Sequence, residues 1–325
     1  MKNDQGIIHA CAIDTGGHAT ILEGADISLT TYANVLTWVH LDANASGSRA
    51  WLEKEMSHLD QIIVDALLAD ETRPRIVEFA NGALLILRGV NLNENAQTED
   101  MVSIRLWIDP LRIVSLQRRP SKAVRDIFEK SLAGNHIKSS GDFLVQLVAR
   151  LFERMEPVFA ELDEDLDLTE ELVMEKPDAR ERQKITSIRK KTIVFKRYIA
   201  PQKEVIASLR ASEQPWLDPI HKRRLQESMD RVTRYMEDLD NIRERAQIIK
   251  DELANALADR MNKNLYLLSV VAAIFLPLGF FTGLLGINVG GIPGADNSDA
   301  FVAFCLILIG IVIVQIGLFK RLRWI

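Results

Sequence analysis

Residues 265–285 read LYLLSVVAAIFLPLGFFTGLL, twenty-one consecutive residues without a charge. About 20 apolar residues carry an α-helix across a hydrocarbon core roughly 30 Å thick, so this stretch predicts a membrane span. Residues 300–319, AFVAFCLILIGIVIVQIGLF, predict a second, with Gln315 as its one strongly polar group. A buried helix in a soluble core is the competing reading, and two such spans at one end of the chain disfavour it. The averages over the 325 residues look soluble: 47% hydrophobic, 26% charged, mean hydropathy +0.01. They hide an asymmetry, because between Asn264 and Phe319 only Asp296 and Asp299 carry charge.

Lys and Arg placement sets orientation. Arg260 and Lys263 precede the first span, Lys320, Arg321 and Arg323 follow the second, and the loop 286–299 has neither. Both termini are expected in the cytosol, with Trp324 as an interfacial anchor. No secretory signal is expected at the N-terminus. The loop, GINVGGIPGADNSD, is too rich in glycine for a regular element. Irregular backbone at membrane depth is tolerated where it lines a watery cavity. A plain connecting turn is the alternative.

Outward from the spans, the chain before residue 265 divides in three. Residues 1–139 predict a cytosolic mixed α/β domain. Its strand candidates are IIHACAID and HATILE around the turn Thr15-Gly16-Gly17, TWVHLDA, the pair RIVEFANGALLILRGV joined by Asn81-Gly82, SIRLWIDP and RIVSLQ. Helices are expected at 48–56, 60–68 and 121–133, with Ser48 and Ser121 as N-caps. Residues 140–218 predict a helical hairpin. Segment 151–178 holds eleven acids against Arg154 and Lys176, and segment 179–203 holds nine bases against Glu181. Mutual attraction of the two arms is the simplest reading, and an acidic surface that concentrates cations is the functional one. Phe152, Met155, Phe159, Leu162, Leu166, Thr169 and Val173 form one stripe, with Pro157 off it and expected to kink the helix. Residues 219–264 predict a stalk helix. Its stripe of Leu225, Met229, Val232, Met236, Leu239, Ile242, Ala246, Ile249, Leu253 and Leu257 runs into the first span without a Pro or Gly. One rod cannot bury such a stripe alone, so self-association into a ring is expected.

Two spans enclose nothing, whereas several chains around an axis enclose a pore. Helical steps back from Asn288 place Gly279, Leu276, Ala272, Leu268 and Leu265 on or near one face, which Asn262 continues into the cytosol. That face carries no charge. A bare divalent ion is dehydrated reluctantly, so a hydrated ion met by the Asn288 amide oxygen and the Gly286 and Ile287 carbonyls is expected. The three leucines then serve as constrictions, and Asp296 and Asp299 attract cations at the outer mouth. Two cysteines, Cys11 and Cys305, make neither a disulfide framework nor a metal cluster. His9 and Cys11 alternate along a strand and share a side, a pair that reads as incidental. The net charge of −5 argues against nucleic acid as a partner. An enzyme is disfavoured because no nucleophile–base or metal-ligand constellation appears.

Gly286-Ile287-Asn288 at the end of the first span resembles the Gly-x-Asn signature of the CorA superfamily of divalent metal ion transporters. The flank IFLPLGFFTGLLGIN and the tail KRLRWI are similar to that family's pore-helix ending and basic terminus. Ile287 stands where magnesium-type members have Met, and VGGIPG replaces their acidic loop, a variant that looks like the ZntB-like zinc transporter branch. The resemblance implies an α+β cytosolic domain, a long stalk helix and two C-terminal transmembrane helices in a homopentameric funnel in the inner membrane. It implies the Asn288 ring as selectivity filter, Zn²⁺ as cargo and no cofactor. Asp251 falls where the family's stalk carries gating acids. Proton coupling stays open under the resemblance, and a magnesium or cobalt channel and a membrane-anchored scaffold or sensor are the alternatives.

Overall fold

The computed structural model describes residues 6–24, 27, 35–134, 137–287, 294 and 297–322. The chain forms two compact units, residues 1–251 and 252–325.

The first unit is built on seven strands: β1 (Ile7–Ile13), β2 (Ala19–Ile21), β3 (Leu36–Asp42), β4 (Arg75–Phe79), β5 (Gly82–Gly89), β6 (Val102–Ile108) and β7 (Arg112–Gln117). Their order across the sheet is β2-β1-β3-β7-β6-β5-β4. The β3–β7 pair is parallel and every other pair is antiparallel. Each turn signal closes the hairpin expected of it: β1 pairs β2 across Thr15-Gly16-Gly17, and Phe79 opposes Gly82 across Asn81. The central strands are buried on both faces, as their near-continuous apolar runs require.

Helices α1 (Gly47–Glu55) and α2 (Gln61–Leu68) cover one face, where Trp51, Leu52, Met56, Ile63 and Leu67 pack on Ala10, Val39, Leu84 and Val114. Helix α3 (Lys122–Ala133) and the start of α4 (Ser140–Glu175) cover the other, with Phe128 stacked on His9 and Phe143 edge-on to Trp38. Asp60 caps α2 through Ile62 N, and Ser121 caps α3 through Val124 N. The expected cap at Ser48 is not made. Ser48 lies inside α1, buried, and its hydroxyl donates instead to the Asp42 carbonyl at 2.6 Å, holding α1 against the end of β3.

Helix α5 (Glu181–Ala211) returns alongside α4, and α6 (Pro219–Leu285) follows. The stripe expected on α4 is buried throughout. On α6 the buried positions up to residue 251 are His221, Leu225, Ser228, Val232, Tyr235, Leu239, Ile242, Ala246 and Ile249, while Met229 and Met236 lie at the margin. Part of their cover comes from within the chain. Tyr235 sits edge-on to Phe159, and its hydroxyl donates to the Phe152 carbonyl at 3.2 Å, so α4 of the same chain takes up the stripe.

The acidic and basic arms do not form ion pairs with each other. Arg245 on α6 collects Asp163 at 3.2 Å, Asp167 at 2.5 Å and Glu170 at 2.6 Å from α4. Lys196 on α5 reaches Asp240 on α6, and Asp126 on α3 takes Arg150 and Arg154 of α4. No ion pair joins α4 to α5 among the described residues. Both arms turn to third elements because a charge finds its partner by distance in the packed bundle, and net charge along the chain carries no distance.

The second unit holds the rest of α6 and α7 (Ala300–Arg321), both long and apolar enough to cross a membrane. Lys320 and Arg321 lie in the last turn of α7, where cations complement the helix dipole.

Candidate transport site

The end of α6 is shaped by a proline. Pro277 has no N–H, so the Ala273 carbonyl one turn earlier loses its helical donor. In hydrocarbon an unpaired carbonyl costs several kcal/mol, so a substitute is needed. Gln315 provides one: its amide Nε2 donates to the Ala273 oxygen at 3.4 Å. The single strongly polar group of the second span thus answers the single proline of the first. Ser269 and Thr282 return their hydroxyls to carbonyls of their own helix, Leu265 for the first and Leu278 for the second.

This contact fixes which face of α6 meets α7. Val270, Ala273, Ile274, Pro277 and Leu278 are partly covered. The residues expected to line a pore, Asn262, Leu265, Leu268, Ala272, Leu276 and Gly279, are all exposed, and at about 100° per residue all but Asn262 point away from the covered face. Leu268 is 66% and Leu276 74% exposed, and a Cβ added at Gly279 would meet nothing within 4 Å. An apolar helix face left open in this way is a surface for another chain or for lipid.

Past Leu285 the chain leaves the helix over Gly286, whose N–H donates to the Thr282 carbonyl at 2.9 Å. A Cβ at Gly286 would stand 2.8 Å from that same oxygen, which accounts for glycine at this position. Ile287 is exposed. Asn288 and Asp296 lie outside the described residues, as do Arg323 and Trp324. Asp299 occupies the N-cap position of α7 without a side-chain cap bond, and its N–H donates to Asn297 Oδ1.

In the first unit Asp251 is exposed, and both its oxygens accept from the Gln247 amide one turn earlier, at 2.8 and 2.7 Å. His9 and Cys11 do share a face, but it is the core face under α3 and α4 and not a surface. His9 is stacked between His40 and Phe128. Burial, reinforced by His40, pushes His9 down to about 3. Burial pushes His40 down to about 4 and the Cys11 thiol up to about 12. All three are neutral at pH 7. The parallel register sets His40 beside Ser115, whose hydroxyl meets His40 Nδ1 at 2.7 Å and accepts from Trp38 Nε1 at 2.8 Å. Among the described residues there is no group of three or more His, Cys, Asp and Glu able to hold a metal. The Gln315–Ala273 bond beside Pro277 was not anticipated. Its signal was a lone Pro in one span and a lone Gln in the other, and linking them required knowing which turns adjoin.

The family model described as CorA-like Mg²⁺ transporter protein matches residues 33–321. The chain belongs to the CorA family. Relatives in the CorA family include the divalent cation transporter CmaX of Pseudomonas aeruginosa, 37% identical over 88% of this chain and 87% of that one. The zinc transport protein ZntB of Pectobacterium atrosepticum is 34% identical over 98% of this chain and 96% of its own length. The solved structure of the full-length CmaX protein superposes with a TM-score of 0.86 at 34% identity, covering 99% of both chains. This CorA-family chain accordingly has the fold expected of it: a mixed α/β domain, a long helix and two apolar C-terminal helices.

Proposed function

We propose that this chain, a divalent cation transporter of the CorA type, carries zinc across the inner membrane through the central pore of a homopentamer. Gly286, Ile287 and Asn288 form the selectivity filter, and both termini are cytosolic. Likeness to a zinc transport protein along 98% of the chain carries the reading. The uncharged, open face of α6 opposite α7 supports the pore. Packed around an axis, it presents Leu265, Leu268 and Leu276 as apolar rings and Asn262 as a polar one. The Gly286 turn brings the chain off the helix where carbonyl and amide oxygens can replace part of an ion's hydration shell. Asp296 and Asp299, with no Lys or Arg in their loop, raise the cation concentration at the outer mouth.

The test is flux of Zn²⁺, Mg²⁺ and Co²⁺ into vesicles containing the purified protein, compared with an Asn288→Ala variant. Zn²⁺ flux is expected in the parent and not in the variant, with the two particles eluting alike. Undiminished flux in Asn288→Ala would sink the filter. A second reading, a magnesium or cobalt channel, is favoured by the description of the matching family. Mg²⁺ flux exceeding Zn²⁺ flux would select it.

A further inference from the structure

Away from the spans, the first unit carries a cleft of about 970 Å³ between the loop after α2, the loop between β5 and β6, the end of β7 and the outer side of α5. Arg73, Arg88, Arg118, Arg119, Lys190 and Arg197 line it, against four acids, Asp70, Glu71, Glu99 and Asp100. Among the described residues one direct ion pair joins the two sets, Arg118 with Asp70 at 2.6 Å.

The inner arginines are committed to the scaffold. Arg118 donates to the Leu68 carbonyl, and Arg88 donates to the Thr72 and Met101 carbonyls. Behind them Arg105 on β6 is fully buried and donates to the Ala69 carbonyl. These contacts pin the loop after α2 but leave charge uncompensated. Arg105 touches no carboxylate among the described residues, and its Nε and Nη1 are buried without partners, as are the Nε atoms of Arg88 and Arg118. Burial, with Arg118 and Arg88 nearby, lowers Arg105 to about 10. Burial also lowers Arg88, and Arg119 and Arg197 add to the effect. A group of guanidinium ions that repel one another in a partly desolvated cleft is unfavourable unless an anion offsets it.

The outer cations are free to hold such an anion. Tyr198 stands between the Arg88 and Arg197 guanidinium groups, 4.7 and 4.8 Å from its ring centre, which holds Arg197 in the cleft wall. Arg73, Arg119 and Lys190 are exposed around the mouth, and none is in an ion pair among the described residues. Cations approaching one space from several directions match a tetrahedral, multiply charged group with oxygens on every side better than a planar carboxylate. The volume lies within the range that takes a small molecule and not only a bare ion.

We propose that this cleft binds a soluble phosphoryl anion, held by Arg119, Arg197 and Lys190 at the mouth and by the field of Arg88, Arg105 and Arg118 behind them. Such a site would let the cytosolic domain respond to a phosphorylated small molecule, and it stands apart from the zinc reading. The experiment is calorimetric titration of the full-length protein in detergent with inorganic pyrophosphate in chloride buffer of about 0.15 M ionic strength. Saturable binding at one site per chain is expected, weakened roughly tenfold or more by Arg119→Ala and by Arg197→Ala, with particle size unchanged. Absence of saturable heat would overturn the proposal, as would binding indifferent to both substitutions. A third result would also overturn it: no pyrophosphate binding, together with a changed number of chains per particle in Arg119→Glu/Arg197→Glu. That would mean acids of a neighbouring chain fill the cleft.

Discussion

An imidazole that loses water on folding becomes a poor base, and His9 and His40 are two such groups. In the unfolded chain both take up protons near pH 6.5; in the folded chain His40 does so near 4 and His9 near 3. Between these limits the unfolded chain binds more protons, so acid favours unfolding. The stabilisation is complete above pH 6.5 and is lost as pH falls toward 4, with a combined slope of up to about 2.7 kcal/mol per pH unit. His9→Leu keeps a side chain against Phe128 and removes one titrating group, so about half of that slope is expected to vanish. Urea unfolding between about pH 6.5 and 4.5 reads it directly, and identical slopes in parent and variant would refute the assignment. That His9 and Cys11 share a face follows from strand alternation. That the face is interior does not, because IIHACAID is apolar at most positions and names no exposed side.

At the scale of elements, the bond between Gln315 and the Ala273 carbonyl should exist because of Pro277. Gln315→Leu in the parent leaves that carbonyl unpaired and is expected to cost about 1–2 kcal/mol. In a Pro277→Ala background the helix supplies its own donor, and the same change should cost little. A double-mutant cycle on thermal unfolding in detergent measures the coupling, and equal costs in both backgrounds would remove the link. Element types and turn positions were legible because each rests on local chemistry: Asn81-Gly82 for a hairpin, apolar residues at three- and four-residue spacing for α4 and α6. Element partners were not. The stripes on α4 and α6 have the same period, and nothing in either says that Tyr235 will meet Phe159 of its own chain instead of a second copy of α6. The charge reversal around Pro177 read as two attracting arms, yet one residue on a third helix, Arg245, gathers three of the acids.

For the whole molecule, the separation of charge from the spans bears on the driving force. No Asp, Glu, His, Lys or Arg lies in either span, so a proton that accompanies the metal at neutral pH has to bind outside them or travel with water in the pore. If zinc flow in vesicles is coupled to protons, imposing a pH gradient should change its initial rate while Asn288→Ala abolishes both rates. A rate that ignores the gradient would describe an uncoupled pore. The candidate filter itself was legible through resemblance. Four glycines and two asparagines after a span would fit an ordinary loop, and the geometry adds only why Gly286 is glycine and which face of α6 is left open.

The order in which a ribosome makes this chain gives Pro277 one more consequence. The α6 span leaves the ribosome first and enters the bilayer with the Ala273 oxygen unanswered. Alone, α7 would be an apolar segment burdened by one amide. Where α6 is already in place, that amide has a waiting acceptor, and the cost of inserting Gln315 becomes the reason for the second span to lodge against the first. A missing donor in one helix thus becomes an address for the next during membrane assembly.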